Sequence, residues 1–286
     1  MSFMRIYIIG KNGQLGFDLD RVLSKRFKVD GGGRETFDVR RVDEFLSFVK
    51  GKYDLLINCS AYLDVVKSEK YIKDSFLMNA ILPSVISKFC YDNRIKFFHF
   101  STDYVFDGRK KTPYVEVDRC DPLNNYGLSK YVGERMILEN NPDAKILRVS
   151  GLYGKRESKS KGYNFVSFIL KKAEKREKVQ IVNDQFLTPT YTLNIAKQVE
   201  KLIDFDISGI IHSTDEGETS WYDFALEIKR VLKLDLKIEK RDSQDLFPKR
   251  PKYSVLENAV LKKNCINIMR NWKESLEYFL KVDLLK

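Results

Sequence analysis

The sequence lacks long apolar runs and is poor in cysteine, histidine and proline. Its apolar runs, such as residues 6–9, are far too short to span a membrane. Only two histidines accompany the four cysteines, which stand without CxxC spacing at positions 59, 90, 120 and 265. Neither a zinc site nor a disulfide framework is therefore indicated, and we expect no metal. Seven prolines and 15 glycines among 286 residues exclude a collagen-like or disordered chain.

The length of 286 residues is enough for one large domain or two small ones. Residues 1–10, MSFMRIYIIG, contain one arginine and lead directly into a glycine-rich loop. They lack the small-residue cleavage site that is typical of a secretory signal. We therefore expect a cytoplasmic protein that makes no membrane contact.

Positive charge is in excess and is concentrated in two stretches. The formal net charge is +11, and residues 155–178 carry 9 Lys/Arg against 3 Asp/Glu while residues 229–286 carry 15 against 8. Two interpretations fit, a solvated lysine-rich surface or a pocket for phosphates. Nucleic acid is not an expected partner, because no helix-turn-helix, zinc finger or aromatic RNA-binding motif accompanies the charge.

Short apolar runs alternate with amphipathic segments along much of the chain. The apolar runs predict strands at residues 5–9, 27–30, 54–59, 96–101, 145–149 and 209–212. Apolar residues spaced three and four apart predict helices at 14–25, 42–50, 72–93, 126–139, 164–176 and 221–232. This alternation is typical of an α/β fold with a parallel sheet.

The first predicted strand ends in a glycine-rich loop that opens directly into the first predicted helix. Glycines there permit a tight turn and let backbone N–H groups approach a pyrophosphate, while the helix N-terminus supplies partial positive charge. Turn glycines at a junction without a ligand are the alternative. The loop favours a Rossmann-like, doubly wound sheet and a dinucleotide bound by Gly10, Asn12, Gly13, Gln14, Leu15 and Gly16.

The residues after the second predicted strand bear on the kind of dinucleotide. Arg34 follows Gly16 by eighteen residues, where the adenosine ribose is expected, and an arginine there suits a 2′-phosphate. Asp30 lies close enough to bind the ribose hydroxyls instead, which keeps NADH open. Asp38 either meets the adenine or caps the helix that follows. We expect NADPH as the cofactor, with NADH as the alternative.

A Tyr-x-x-x-Lys pair, Tyr126 and Lys130, stands at the start of a predicted helix and places both side chains on one face. A neighbouring ammonium stabilises a phenolate by Coulomb attraction, which lets a tyrosine exchange protons near neutral pH. Thr102, at the end of the fourth predicted strand, can donate to a carbonyl oxygen and stabilise developing negative charge. The pair alone occurs by chance in many helices. The prediction of a catalytic role therefore depends on its position in the chain, after the glycine loop and after Thr102.

With these elements in this order, the chain resembles the extended short-chain dehydrogenase/reductase family and, within it, the dTDP-4-dehydrorhamnose reductase branch. The resemblance covers nearly the whole length and is carried by HFSTDYVFDG at 99–108, PLNNYGLSK at 122–130, LRVSGLYG at 147–154, VNDQFLTPT at 182–190, GIIHSTDEGETSWYDFA at 209–225 and KRPKYSVLE at 249–257. It implies that hydride passes from NADPH to the C4 ketone of a nucleotide-linked 4-keto-6-deoxysugar. Thr102, Tyr126 and Lys130 are then the catalytic residues.

The resemblance also implies two sets of binding residues and a smaller α/β substrate-binding lobe. Besides the glycine loop, the expected cofactor contacts are Arg34, Asp38, Cys59, Ser60, Ala61, Tyr62, Ser101, Tyr126 and Lys130. The expected substrate contacts are Thr102, Asp103, Val105, Phe106, Gly151, Asn164, Phe165, Gln185 and Arg250. We assign residues 1–149 and about 180–212 to the cofactor domain, and residues 150–179 and 213–286 to the substrate lobe. A homodimer is left open.

Three positions depart from the family's pattern. Val66 stands where an aspartate is usual, Gly151 where many bacterial members have a tryptophan, and Leu187 where they have a glycine. The last two changes concern the sugar or base pocket, so they bear on which sugar is reduced rather than on whether reduction occurs. Some members hold magnesium through glutamates, which have no convincing counterpart in this sequence.

Two other functions remain as alternatives. One is a non-catalytic NADP-binding subunit, similar to the regulatory subunit of methionine adenosyltransferase, which an intact Tyr126 and Lys130 do not exclude. The other is a nucleotide-sugar epimerase, which would retain NAD through purification. A dehydratase is disfavoured because Asp103-Tyr104 follows Thr102 where an Asp-Glu pair is usual.

Overall fold

The computed structural model describes residues 4–33, 38, 40–159, 162–244 and 246–285. In chain order its strands are β1 (Arg5–Ile9), β2 (Lys28–Gly32), β3 (Leu55–Asn58), β4 (Lys96–Thr102), β5 (Lys145–Val149), β6 (Leu152–Tyr153), β7 (Val179–Val182), β8 (Phe186–Leu187), β9 (Thr190–Tyr191), β10 (Gly209–His212), β11 (Thr219–Ser220) and β12 (Ile238–Arg241). Six of them form one parallel sheet in the order β2-β1-β3-β4-β5-β10. The remaining strands pair two by two beside it.

Helices connect the strands and cover both faces of the sheet. They are α1 (Gln14–Leu23), α2 (Val42–Val49), α3 (Val65–Lys70), α4 (Ile72–Phe76), α5 (Leu82–Asp92), α6 (Asn125–Asn140), α7 (Phe165–Glu174), α8 (Thr192–Leu202), α9 (Trp221–Leu232), α10 (Ala259–Lys263) and α11 (Trp272–Tyr278). Within the described ranges, none of them combines the length and apolar character that a bilayer crossing requires.

Successive residues of the sheet strands face two separate cores, because side chains alternate along a strand. Ile6 and Ile8 of β1 lie in a core with side chains of α1 and α8. Tyr7 and Ile9 lie in the other core, with side chains of α2 and α5. Burial on both faces explains the nearly continuous apolar strands of the sequence, and the predicted Rossmann-like doubly wound fold is confirmed.

The predicted strands and most predicted helices match the structure to within two residues. The helix predicted at residues 72–93 is instead interrupted by a π-helical segment, Leu77–Ile81, between α4 and α5. Pro83 explains the break, because it has no N–H to donate to the carbonyl of Asn79 and its ring would collide with that carbonyl. Periodicity alone did not reveal this change.

A segment near the C-terminus, residues 249–257, crosses the carboxyl edge of the sheet. The Nδ2 of Asn124 donates to the carbonyl of Lys249 at 2.9 Å, and the backbone N–H of Tyr114 donates to the carbonyl of Val255 at 2.8 Å. Gly108 has φ +76°, and a Cβ there would lie 2.6 Å from the Cα of Pro251. These contacts bring part of the basic stretch at residues 229–286 to the end of the sheet where the predicted catalytic residues lie.

Candidate active site

The candidate site lies where the strand order reverses. The chain runs from β1 to β2 on one side and then crosses to β3 on the other side of β1. In open α/β sheets, a crevice for ligands forms at the carboxyl ends of the two strands at such a point. The glycine loop follows β1 and residues 59–62 follow β3, so both predicted cofactor segments meet at this crevice.

The glycine loop is packed too closely for side chains at its key positions. Gly10 has φ +83°, and a Cβ on Gly16 would lie 2.2 Å from the carbonyl oxygen of Gly10. Gly13 precedes α1 and provides no side-chain cap, while the Nε2 of Gln14 is buried and has no hydrogen-bond partner among the residues that the structure describes. A close backbone turn at an uncapped helix N-terminus, with a free amide donor beside it, fits a dinucleotide diphosphate.

The segment after β3 forms the opposite wall of the crevice. A Cβ on Gly10 would lie 3.3 Å from the backbone of Cys59 and Ser60, so the two loops are in contact. The backbone N–H of Tyr62 donates to the Oδ1 of Asn79 at 2.8 Å, which fixes this segment to the π-helical turn. The structure therefore places the predicted cofactor contacts at residues 59–62, including Ala61, beside the glycine loop.

The predicted nucleotide-specificity residues are only partly described. Arg34 lies outside the described residues. Asp38 accepts hydrogen bonds from the backbone N–H of Arg40 at 3.1 Å and from its Nε at 2.9 Å. Arg41, and not Asp38, is the N-cap residue of α2, so the capping alternative for Asp38 is wrong.

Thr102 and Tyr126 are brought together by the end of β4 and the start of α6. Asn124 caps α6 by accepting from the N–H of Gly127 at 2.9 Å, and a Cβ on Gly127 would lie 2.2 Å from the carbonyl oxygen of Tyr104. Burial raises the pKa of Tyr126 above its ordinary value of 10, and the hydroxyl of Thr102 lies next to the phenol. Tyr126 is thus a protonated phenol that can donate across the neutral pH range.

Lys130, one turn further along α6, is buried, and its side chain contacts protein groups rather than solvent. Its Nζ donates to the carbonyl oxygen of Phe100 at 2.6 Å and lies 3.1 Å from the Nε2 of His99. Burial lowers the pKa of Lys130 from 10.5 to about 8, and the negative charge of Glu134 partly opposes this shift. The sequence predicted a lysine whose ammonium stabilises a phenolate. In the structure, burial makes the charged form of this lysine itself unfavourable.

His99 and Asn58 are the residues that the sequence interpretation missed. Asn58 is the last residue of β3, and its Nδ2 lies 3.1 Å from the Nδ1 of His99 in the neighbouring strand β4. Both side chains are fully buried. Their signal in the sequence is a polar residue that directly follows apolar strand residues, in LLIN and in FFHF.

Asp103 anchors Thr102 and connects three parts of the chain. Its Oδ1 accepts from the hydroxyl of Thr102 at 3.0 Å, while its Oδ2 accepts from Ser150 at 2.9 Å and from Ser254 at 2.6 Å. The carboxylate is 3% exposed, and burial raises its pKa against these three hydrogen bonds. Thr102 therefore directs its one proton to Asp103, and Asp103 has the geometry of a supporting residue.

Four further predicted contacts are buried; Ser101 was assigned to the cofactor, and Val105, Phe106 and Gln185 to the substrate. Val105 and Phe106 are fully buried in a small cluster with Tyr114, so a ligand contact from either would have to come from its backbone. Ser101 and Gln185 are also buried, and the hydroxyl of Ser101 has no hydrogen-bond partner within the described part of the chain.

Two predicted substrate residues at α7 take part in the local structure. Asn164 caps α7 by accepting from the N–H of Ser167 at 3.0 Å, and its Nδ2 donates to the carbonyl of Gly154 at 3.0 Å. The Phe165 ring packs against Trp221 with centroids 4.5 Å apart. These contacts position the start of α7 and leave Asn164 little capacity for a ligand.

Arg250 has the features of an anion site. It is half-buried, its Nε is inaccessible and has no hydrogen-bond partner among the described residues, and its positive charge acts on the half-buried phenol of Tyr104. The Tyr104 ring packs edge-on against Tyr126 with centroids 5.8 Å apart. Arg250 thus brings an incompletely paired guanidinium to the rim of the candidate active site.

Two of the departures from the family's pattern contact each other. Gly151 has φ +55°, and a Cβ there would lie 2.7 Å from the Cδ1 of Leu187. A small residue at 151 therefore makes room for a large one at 187, which reverses the tryptophan and glycine expected at these positions. The third departure, Val66, is half-exposed on α3. Across the described residues, no cluster of His, Cys, Asp and Glu has the arrangement of a metal site.

Comparison with known proteins identifies close relatives. The family described as RmlD substrate binding domain matches residues 4–284. The spore coat polysaccharide biosynthesis protein SpsK of Bacillus subtilis is 33% identical over 282 residues, which cover 96% of each chain. A dTDP-4-dehydrorhamnose reductase from Clostridium acetobutylicum has a TM-score of 0.90 and 37% identity over 99% of each chain. The reductase of that name from Bacillus anthracis, solved in complex with NADP, has a TM-score of 0.91 and 31% identity, covering 97% of this chain and 98% of its own.

Proposed function

The chain belongs to the RmlD substrate binding domain family, and we propose that it is an NADPH-dependent dTDP-4-dehydrorhamnose reductase. It reduces the C4 ketone of dTDP-4-dehydro-6-deoxy-L-mannose to give dTDP-L-rhamnose. The observation that carries this proposal is that Thr102, Tyr126 and Lys130 meet at the carboxyl end of β4. This strand neighbours β3, whose end forms the crevice together with the glycine loop. The fold around them is shared with two reductases of this name.

The crevice suits the cofactor. Gly10, Gly13 and Gly16 would hold the diphosphate, and residues 59–62 would line the opposite wall. NADPH supplies a hydride when it is bound. Arg34 favours the 2′-phosphate of NADPH over NADH because its guanidinium matches a phosphate in charge and geometry.

The protein's own residues supply the proton that the ketone oxygen must receive during reduction. As the ketone oxygen gains negative charge, Tyr126 donates its phenolic proton to that oxygen. The ammonium of Lys130 stabilises the phenolate that remains. Thr102 steadies the oxygen by hydrogen bonding, for which its proton must leave the Oδ1 of Asp103, while Ser150 and Ser254 keep Asp103 in place through Oδ2.

Recognition of the nucleotide sugar is assigned to the region around the C-terminal segment. Arg250 binds the diphosphate of the substrate through its planar guanidinium. The Gly151 and Leu187 pair lines the sugar or base pocket and selects among related sugars. The separate substrate lobe, a homodimer, a cytoplasmic location and independence from metal ions stay predictions from the sequence.

Product analysis tests this function against the two alternatives. The full-length protein is supplied with NADPH and with dTDP-4-dehydro-6-deoxy-L-mannose generated in place, and both NADP and dTDP-L-rhamnose are quantified. One NADP formed per rhamnosyl product supports the reductase. NAD that remains bound through purification, with sugar interconversion and no net NADPH oxidation, would indicate an epimerase. NADPH binding without any sugar turnover would indicate the regulatory subunit.

A further inference from the structure

A chain of hydrogen bonds leads from Ser60 through Asn58 and His99 to Lys130, and the function proposed above gives no role to Asn58 or His99. The backbone N–H and the hydroxyl of Ser60 lie 3.0 and 2.6 Å from the Oδ1 of Asn58. The Nδ2 of Asn58 lies 3.1 Å from the Nδ1 of His99, and the Nε2 of His99 lies 3.1 Å from the Nζ of Lys130. Asn58, His99 and Lys130 are each at most 2% exposed.

The backbone of Ser60 fixes the direction of this chain. A backbone N–H can only donate, so the Asn58 oxygen must face Ser60 and the amide NH₂ must face His99. That NH₂ can also only donate, which makes the Nδ1 of His99 an acceptor. Burial and the nearby Lys130 hold the pKa of His99 well below 6.5, so the ring is neutral and carries its single proton on Nε2.

The Nε2 proton of His99 faces Lys130, whose Nζ can accept it only through the lone pair of an uncharged amine. An ammonium has no lone pair, so one of its N–H groups would face the Nε2–H of His99, and two donors cannot form a hydrogen bond. We propose that Asn58 and His99 are positioning residues that favour the uncharged amine of Lys130, and so set the pH above which Tyr126 loses the support of an ammonium. The consequence for reduction rests on the proposed function, whereas the tautomer of His99 does not.

The other groups around Lys130 were considered with His99. Glu134, on the same face of α6, is bound by Arg148 through two hydrogen bonds of 2.9 and 2.7 Å, so its charge is already paired. Cys59, which follows β3, is a partly buried thiol whose pKa is raised by desolvation, which keeps it uncharged. Tyr126 is a protonated phenol because burial raises its pKa as well. His99 therefore contributes a directional effect that these neighbours do not supply.

Nitrogen NMR of the full-length protein tests the tautomer without any substrate. The chain has two histidines, and His212 is an internal reference because its Nδ1 lies 3.0 Å from the carbonyl of Glu257, which can only accept. Long-range ¹H–¹⁵N spectra at pH 7 should show one Nε2–H ring and one Nδ1–H ring, and the Nε2–H signals should disappear in His99→Gln. Two Nδ1–H rings, or a charged His99, would overturn the proposal even if the protein reduces the sugar as expected.

A pH profile tests the effect on Lys130. Asn58→Asp replaces the NH₂ donor by an acceptor of the same shape, so His99 should turn its proton to Nδ1 and offer a lone pair to the ammonium. The high-pH limb of kcat/KM should move upward by about one pH unit or more. The same substitution in a His99→Phe background controls for the added negative charge and should give a clearly smaller shift. Equal shifts in both backgrounds would refute the role of His99.

Discussion

Replacing Lys130 by Met should abolish reduction. At neutral pH, however, the variant should be more stable than the loss of the Lys130 hydrogen bonds alone would predict. Burial lowers the pKa of Lys130 from 10.5 to about 8, so the folded state holds the charge less favourably than the unfolded chain. At about 1.4 kcal/mol per pH unit, this burden is about 3 kcal/mol at pH 7. It is fully present below about pH 8 and falls to below about 1 kcal/mol at pH 10, as the pH approaches the value of 10.5 at which the unfolded lysine also loses its proton.

The substitution also removes the donor to the carbonyl of Phe100, at a cost of about 1–3 kcal/mol that does not depend on pH. The test therefore compares the unfolding free energies of Lys130→Met and wild type at two pH values. The informative result is how much the difference between the two proteins changes with pH. It should favour the variant by roughly 2–3 kcal/mol more at pH 7 than at pH 10. Urea unfolding at both pH values measures it, with exposed Lys73→Met as the matched control. A difference that is the same at both pH values would refute the reasoning.

Three further substitutions test other parts of the site. Gly16→Ala should reduce NADPH affinity at least tenfold in a binding titration, because its Cβ would lie 2.2 Å from the Gly10 oxygen, whereas Gly51→Asn, in open space, should bind normally. Asp103→Asn should lower kcat at least tenfold and stability by about 1–3 kcal/mol in urea unfolding, since three hydroxyls lose a charged acceptor; an unchanged kcat would contradict its supporting role. Arg34→Ala should weaken NADPH binding far more than NADH binding, and equal losses would reject contact with the 2′-phosphate.

The parallel sheet could be predicted from sequence because its signals are local. Most of its strands are short apolar runs. The glycine loop lies between one such run and an amphipathic helix, so the sequence predicts the positions of β1 and α1 directly. Tyr126 and Lys130 are four residues apart on one helix, which fixes their common face. The π-helical segment did not follow, because it depends on how Pro83 and Gly133 fit around Asn79.

The rest of the site depends on contacts between residues distant in sequence. Asp103 meets Ser254 across 151 positions, and nothing in the local pattern of either residue indicates the other. Asn58 and His99 look like isolated polar residues until β3 and β4 pair side by side. Gly151 and Leu187 each looked like a departure from the family's pattern, and only their contact explains both.

The most direct test of the proposed activity is NADPH oxidation with dTDP-4-dehydro-6-deoxy-L-mannose, measured for wild type beside Tyr126→Phe. The substitution removes the proton donor and keeps the ring that packs against Tyr104. We predict sustained turnover by wild type and a loss of at least about 100-fold in the variant, with NADPH binding retained in both. A folded wild type that binds NADPH and does not reduce this sugar, or a variant as active as wild type, would contradict the proposed function.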